Sequence, residues 1–132
     1  LAEAGSDEHL FMIAIQEKLM QLLEIPYQVI LKCTADIGKP NARGVDINAW
    51  MPGQNQYRET HTADYITDYQ ARRLKTRVRR ATGDIELVHT NDATALPLSR
   101  GPIAILENHQ RADGSINVPA ALQSYFGGKK IL

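Results

Sequence analysis

The stretch Trp50-Met-Pro-Gly-Gln-Asn-Gln-Tyr-Arg-Glu-Thr-His-Thr62 joins a Pro-Gly turn to a polar strand and decides how the chain folds around it. A second block follows at Val88-His-Thr-Asn-Asp-Ala-Thr-Ala-Leu96, and Arg100 then precedes an apolar run. The first block contains a carboxylate and a hydroxyl, and the second leads to an arginine at the start of a helix. Together these groups can hold a metal-bound triphosphate against a sheet.

The pattern on both sides of this stretch predicts an α+β domain. The expected strands cover residues 27–34, 45–49 and 57–62, and a charged hairpin joins 76–80 to 85–90. Helices are expected from Ser6 or Asp7 to about Leu23, over 68–74 and 99–109, and in a short segment after Val118-Pro119. This order of elements is typical of an antiparallel β-sheet flanked by helices.

Two predictions concern the core. Cys33 lies in the first predicted strand and is expected to be a small buried apolar residue. One apolar stripe of the first helix is expected to face the sheet, with a partner-binding surface as the alternative. The stripe consists of Leu10, Phe11, Ala14, Ile15, Met20, Leu22 and Leu23.

Composition limits the classes of function. The 132 residues suit one domain, and 15 basic residues balance 15 acidic ones, so no overall field draws the chain to nucleic acid or to a membrane. The single cysteine excludes an internal disulfide and the apolar runs are too short for a bilayer span, so we expect a cytoplasmic protein. The sequence has no Ser/His/Asp arrangement, no zinc-like spacing and no glycine-rich phosphate loop.

Glu59 and Thr62 offer oxygen ligands of the kind that Mg²⁺ takes. Because they lie three residues apart, a regular strand would turn them to opposite faces, and both can reach one ion only if the strand bulges between them. The alternative is a polar strand face in contact with water. His61 lies between two threonines, where a hydrogen-bonded surface histidine is a better explanation than a metal ligand or a general base.

Arg100 stands near the start of an otherwise apolar helix, where a charge needs a partner or water. An arginine beside the free N–H groups of a helix N-terminus can bind an anion, and a structural salt bridge explains it equally well. The basic cluster from Arg72 to Arg80 is spread over a helix end and one hairpin strand, without interleaved aromatic residues for stacking bases. Solvated charge explains that cluster better than contact with RNA phosphates.

These blocks resemble one known family. The segment 50–59 and Thr67-Asp-Tyr-Gln-Ala-Arg-Arg-Leu74 are similar to the C-terminal half of seryl-tRNA synthetase, a class II aminoacyl-tRNA synthetase. So are Leu87-Val-His-Thr90 and Ala104-Ile-Leu-Glu-Asn-His-Gln-Arg-Ala-Asp-Gly-Ser115. The similarity runs in order from about Glu8 to Gly128, and several ordered motifs of this length are more specific than any single short pattern.

The resemblance implies a reaction, its cofactors and its partners. Serine would be activated by ATP to seryl-adenylate and then transferred to tRNA(Ser). The implied cofactors are ATP and Mg²⁺, the implied assembly of the full-length protein is a homodimer, and no membrane is involved.

The resemblance also implies roles for particular residues. Glu59 and Thr62 correspond to the pair that holds the divalent ion on ATP, although the family usually has serine at the position of Thr62. The stretch that contacts ATP corresponds to Glu59, Thr60, His61 and Thr62.

Arg100 corresponds to the arginine of the third class II motif and would face the γ-phosphate of ATP, so Glu59 and Arg100 are the implied catalytic residues. Thr94, in an Ala-Thr-Ala run where bacterial members usually have Gly-Ser-Gly, corresponds to the residue that contacts serine. Pro97 and Pro102 depart from the family pattern. If the helix starts near residue 99, Pro102 falls in its first turn and is tolerated, whereas an earlier start would kink it and misdirect Arg100.

The same resemblance implies that the sequence is incomplete. Residues 1–132 are expected to form the C-terminal portion of the catalytic domain, without the tRNA-binding coiled coil and the first two class II motifs, and the initial leucine agrees with this. The second motif supplies an ATP-binding arginine and a glutamate for the substrate amine, so we expect this chain alone to be inactive. The alternative is a catalytically inactive, synthetase-derived binding or regulatory module.

Overall fold

Residues 2–132 are described by the computed structural model, and they form an antiparallel sheet with helices. The first half contains helix α1 (Ala2–Leu22) and strands β1 (Tyr27–Leu31), β2 (Arg43–Met51) and β3 (Gln56–Thr67). The second half contains helix α2 (Tyr69–Leu74), strands β4 (Arg77–Arg79), β5 (Ile85–Leu87) and β6 (Thr90–Ala93), and helix α3 (Arg100–His109). Two 3-10 segments are Pro52–Gln54 and Ala120–Phe126. The predicted α+β class is confirmed.

The main sheet has the strand order β1-β2-β3-β6, and all its neighbouring strands are antiparallel. Strands β4 and β5 form a separate hairpin, whose turn contains Gly83 with a φ of +94°, a conformation that favours glycine. The predicted strand 85–90 is therefore divided, because Thr90–Ala93 leaves the hairpin and pairs with β3. Tertiary pairing outweighs the low strand propensity of its Asn and Asp.

Strand β2 alternates between two environments. Val45, Ile47, Ala49 and Met51 are buried in clusters that contain Ile13 and Met20 of α1 and Ala104 of α3. This apolar face attaches both helices to the same side of the sheet.

The opposite side of the sheet carries polar residues. By the strand register they are Asp46 and Asn48 of β2 and Glu59, Thr62 and Asp64 of β3, and we refer to these five as the polar face. Glu59 and Thr62 are thus separated from the helices by the sheet itself.

Helix α1 turns a partly different side to the sheet from the one predicted. Its buried residues recur at helical spacing as His9, Ile13, Gln16 and Met20. Met20 and Leu23 of the predicted stripe are buried as expected, but its other members, Leu10, Phe11, Ala14, Ile15 and Leu22, are exposed. The helix also begins at Ala2, so the predicted caps Ser6 and Asp7 lie inside it.

Buried carbonyl groups explain this orientation of α1. His9 Nε2 bonds to the carbonyl oxygen of Ala63 at 2.9 Å, and Gln16 Nε2 donates to those of Thr62 and Thr94, both at 2.8 Å. Buried backbone carbonyls need donors, and these two polar side chains supply them from the helix. A pattern based on hydrophobicity alone therefore misses the buried polar residues His9 and Gln16 and is correct only near the end of the helix, at Met20 and Leu23.

The prediction that Cys33 is buried is also wrong. Strand β1 ends at Leu31, and the Cys33 carbonyl accepts hydrogen bonds from the amides of Asp36 and Ile37, so the chain is already turning there. Cys33 is exposed. Within residues 2–132 no helix is long and apolar enough to cross a membrane.

Replacing Ile47 with alanine tests the assignment of the two faces. Ile47 is 0% exposed, so truncation should lower the free energy of unfolding by about 2 to 4 kcal/mol. The same change at Ile30, which is 39% exposed on β1, should cost less than about 1 kcal/mol. Urea denaturation followed by circular dichroism measures both losses, and equal losses would contradict the assignment.

Candidate functional site

Strand β3 contains one residue more than its partner β2 at the candidate site. Ile47 pairs with His61 and Asn48 pairs with Glu59, which leaves Thr60 as the extra residue of a β-bulge. The Thr60 hydroxyl is buried and donates to the carbonyl oxygen of Ile47 at 3.0 Å. This bond fastens the bulge to the neighbouring strand.

The bulge shifts the alternation of β3 by one residue. Thr62 pairs with Asp46 while Glu59 pairs with Asn48, so Glu59 and Thr62 lie on the same face although they are three residues apart. The bulge that Glu59 and Thr62 need in order to reach one ion is therefore present. Carboxylate and hydroxyl oxygens are suitable ligands for Mg²⁺, which keeps further positions for water and phosphate.

No dedicated metal cage exists among residues 2–132, where no group of three or more His, Cys, Asp and Glu side chains is placed to hold an ion. One carboxylate and one hydroxyl nevertheless fit a cation that arrives with a nucleotide, because the phosphates supply the other ligands.

The Thr62 hydroxyl has a charged neighbour. Thr62 Oγ1 accepts a hydrogen bond from Lys32 Nζ at 2.8 Å. The same ammonium lies 3.1 Å from Asp46 Oδ1 and 2.9 Å from Asp64 Oδ1. Burial alone would lower the pKa of Lys32, but the bonds with Asp64 and Asp46 outweigh it and raise that pKa, so the ammonium stays charged.

Asp92 extends this charged region onto β6. It lies opposite Asp64 across the strand pair. Burial and the Asp64 carboxylate raise the pKa of Asp92, and the Lys32 charge counteracts them only in part. The single ammonium is therefore surrounded by more carboxylates than it neutralises.

Arg100 reaches β3 from the first residue of α3. Its Nη1 donates to the carbonyl oxygen of Glu59 at 2.6 Å, which places the guanidinium beside the polar face. Arg100 is exposed, and within the described residues 2–132 it forms no salt bridge. The structural salt bridge considered as an alternative for Arg100 is thus not observed. Most N–H donors of the Arg100 guanidinium remain available to an anion.

Helix α3 is anchored to the sheet region at its C-terminal end, while Arg100 at its start bonds to β3. It begins at Arg100, so Pro102 lies in the first turn and does not interrupt the helix. At the other end, Glu107 accepts from the Gly53 amide at 2.9 Å and Asn108 donates to the Trp50 carbonyl at 2.9 Å. The Leu-Glu-Asn-His run of the sequence is therefore an anchor for the helix.

Thr94 lies beside Thr62. Its amide donates to the carbonyl oxygen of Thr62 at 2.9 Å, continuing the ladder one residue beyond β6. Gln16 joins both carbonyls from the helix side and holds the two residues together. Thr94 is half-buried, so its position is defined while part of it remains accessible.

His61 has a different position from its neighbours. It pairs with Ile47, is 1% exposed and lies on the helix side of the sheet, so the expectation of a surface histidine is wrong. Its Nδ1 shares a hydrogen bond of 2.8 Å with the Thr60 hydroxyl. The bulge explains why His61 is buried, because it turns Glu59 and Thr62 to one face of the sheet and His61 to the other.

The basic cluster from Arg72 to Arg80 is partly neutralised. Arg72 pairs with Asp68 at 3.0 Å, and Arg80 pairs with Glu86. The Arg73 guanidinium lies 3.4 Å from the centre of the Tyr69 ring, a cation–π contact. These contacts favour solvated, locally paired charge over a preformed phosphate surface.

Sequence reasoning missed Lys32, Asp46 and Asp64. A usable signal was present, because Asp46 stands between the apolar residues Val45 and Ile47, where a charge needs a partner. The partner could not be found from spacing, since Lys32 lies far from Asp46 along the chain, directly after strand β1.

Comparison with known proteins places this geometry in context. Residues 2–109 match the model of the tRNA synthetase class II core domain (G, H, P, S and T). The chain is 48% identical over 129 residues to serine–tRNA ligase of Dictyoglomus thermophilum and 44% identical over 130 residues to that of Acidithiobacillus ferrooxidans. Each alignment covers 98% of this chain, which spans only 30% and 31% of the two relatives.

Solved structures agree with these relatives. The structure of seryl-tRNA synthetase from Pyrococcus horikoshii complexed with ATP matches with a TM-score of 0.93 and 45% identity, over 98% of this chain and 29% of that one. The cytoplasmic serine–tRNA ligase from Naegleria fowleri in complex with AMP matches with a TM-score of 0.87 and 34% identity, over 97% of this chain and 31% of that one.

Buried His61 should make the stability of the fold depend on pH. Burial lowers its pKa below 6.5, and the backbone of Ala95 offsets this only in part. The unfolded chain therefore binds this proton more readily, so the His61 contribution is complete above about pH 6.5 and is lost as the pH falls below it. His61→Gln should reduce the acid-side slope of unfolding free energy by at most about 1.4 kcal/mol per pH unit. Urea denaturation between about pH 7.5 and 5.5 measures this, and identical slopes would refute it.

Proposed function

The chain belongs to the class II core-domain family of tRNA synthetases, and we propose that it forms the C-terminal portion of the catalytic domain of a serine–tRNA ligase. The observation that carries this proposal is the bulged strand, which brings Glu59 and Thr62 to one face beside the guanidinium of Arg100. The two bacterial relatives named above support serine as the amino acid. Because the chain spans about a third or less of their length, the complete activity belongs to a longer protein.

The proposed reaction begins with ATP and serine and forms seryl-adenylate and pyrophosphate. Attack at the α-phosphate needs aligned reactants and neutralised phosphate charge rather than a protein nucleophile. Glu59 and Thr62 would hold Mg²⁺ through oxygen atoms of the polar face, and that ion would neutralise phosphate charge. The Pyrococcus horikoshii relative was solved in complex with ATP, which supports ATP as the nucleotide.

Arg100 would bind the γ-phosphate of ATP. Its bond to the Glu59 carbonyl orients the guanidinium along β3, and its other donors face solvent where the triphosphate would lie. Strand β3 would hold the metal ion of the triphosphate, and the start of α3 would hold its γ-phosphate. Together they would fix the α-phosphate in position for attack.

Thr60 and His61 complete the proposed ATP-binding stretch between Glu59 and Thr62. Their side chains are buried, so their contribution would come from the backbone at the bulge. Thr94, held beside Thr62, would bind serine. A polar site built around a hydroxyl group rejects alanine, because its buried polar groups would then remain unpaired.

The rest of the longer protein would supply the remaining functions. We assign to it the binding of tRNA(Ser), the second ATP-binding arginine and the dimer interface of a homodimer. A cytoplasmic location follows the Naegleria fowleri relative, which is a cytoplasmic enzyme.

Substitutions in the longer protein test the roles of Glu59 and Arg100. Serine-dependent pyrophosphate exchange, which reports the first step alone, should fall at least about 100-fold in Glu59→Gln and in Arg100→Ala. The matched controls are Glu86→Gln and Arg79→Ala on the β4–β5 hairpin, and these should keep wild-type rates. Wild-type activity in both site variants would contradict the proposal.

The 132 residues alone should show no serine-dependent pyrophosphate exchange. The chain would still lack the second arginine and the glutamate for the substrate amine, so serine and ATP would not be aligned. Exchange by the chain itself would disprove this. If the longer wild-type protein is also inactive, the alternative of an inactive, synthetase-derived binding or regulatory module is supported instead.

A further inference from the structure

Lys32 crosses strand β2 to reach β3. Its amide donates to the Gly44 carbonyl at 2.9 Å, so Lys32 lies beside Gly44 at the end of the β1–β2 ladder. A Cβ added to Gly44 would collide with Lys32 Cε and would come within 2.6 Å of Asp64 Oδ1. The absence of a side chain at Gly44 therefore provides the passage for the lysine.

The Lys32 ammonium lies among three side-chain oxygen atoms. Its Nζ donates a hydrogen bond to Thr62 Oγ1 at 2.8 Å and forms ion pairs with Asp46 Oδ1 at 3.1 Å and Asp64 Oδ1 at 2.9 Å. The side chains of Lys32, Asp46 and Asp64 are only 10 to 13% exposed. Because its charge is already paired and its side chain is largely buried, we assign this lysine to holding its neighbours rather than to binding a phosphate group.

The contact with Thr62 has a chemical consequence. A hydroxyl oxygen has two lone pairs, and Lys32 occupies one of them from the side of the sheet. The other lone pair remains available to a cation on the polar face. Without the lysine, the hydroxyl would lose this fixed hydrogen bond and would be free to rotate.

The contact with the two aspartates has a second consequence. Asp46 and Asp64 each lie about 3 Å from the same nitrogen, so their carboxylates face a common point. If the ammonium were removed, two uncompensated carboxylates would remain there, and such a pair attracts a divalent cation.

We propose that Lys32 is a positioning residue that holds the Thr62 hydroxyl for the nucleotide-bound cation and keeps divalent cations out of the space between Asp46 and Asp64. The first half rests on the proposed function, and the second half depends only on the geometry of this chain. The same Lys32 ammonium group, which passes over Gly44, performs both roles.

Manganese without nucleotide tests the exclusion of cations in the 132-residue chain. In wild type, Mn²⁺ should not broaden the amide NMR signals of Asp46 and Asp64 more than that of exposed Asp113. In Lys32→Met, preferential broadening at Asp46 and Asp64 should appear, with Mn²⁺ affinity at least about tenfold higher in calorimetry. Lys39→Met, a change of another lysine, is the matched control and should behave as wild type.

A double variant assigns the gained site. Lys32→Met with Asp64→Asn should lose the Mn²⁺ site again. Preferential broadening in wild type, or its absence in a cooperatively folded Lys32→Met, would overturn the proposal. If Lys32→Met does not melt cooperatively, Lys32→Gln replaces it, and the wild-type titration decides independently of either variant.

The role of Lys32 toward Thr62 is measured in the longer protein. Lys32→Met should raise the KM for Mg-ATP about tenfold and leave the KM for serine unchanged, with no further effect in a Thr62→Val background. Additive effects would overturn this role. Absence of pyrophosphate exchange in wild type would reject the proposed function instead, while the Mn²⁺ result would still decide the exclusion of cations.

Discussion

The inserted residue at Thr60 is the constraint on which the candidate site depends. It shifts the pairing of β3 so that Glu59 and Thr62 share a face and His61 enters the core. A regular strand would instead separate Glu59 from Thr62. The bulge persists because the buried Thr60 hydroxyl is bonded to the carbonyl of Ile47, which itself lies in the apolar core. The packing of β2 and the chemistry of the polar face are therefore coupled through one hydrogen bond.

Polar groups, as much as apolar ones, connect the helices to the sheet. His9 and Gln16 bind carbonyl groups of β3 and of the residue after β6, and Asn108 binds that of Trp50. Such bonds have directions, whereas apolar contacts between a helix and a sheet allow sliding. We infer that they fix the rotation of α1 and the axial position of α3. The position of Arg100 on the nucleotide side of the sheet depends on that second anchor.

The charges at Lys32 show how a polar face can be kept both buried and ordered. One ammonium compensates Asp46 and Asp64 and bonds to Thr62, so a partly buried group of carboxylates remains acceptable. Gly44 favours this arrangement, because a Cβ there would overlap Lys32 Cε and the lysine side chain would have to shift. The pairing links the residue that follows β1 to β2 and β3, in addition to the backbone hydrogen bonds of these strands. Lys32 thus forms structural ion pairs with the two aspartates and also orients Thr62, a candidate ligand of the cation.

The sequence by itself determined the α+β class, the alternation of β2, the start of α3 near Arg100 and the family, because each is encoded in turn residues, short periodicities or ordered motifs. The spacing of three residues between Glu59 and Thr62 also showed that the two can share a face only if the strand contains a bulge. Only the tertiary structure decided that the bulge exists, which side of α1 is buried, and that Lys32 reaches Thr62. These outcomes depend on carbonyl and carboxylate groups of strands that are distant in sequence. A local sequence pattern cannot predict which side chain becomes the partner of such a group.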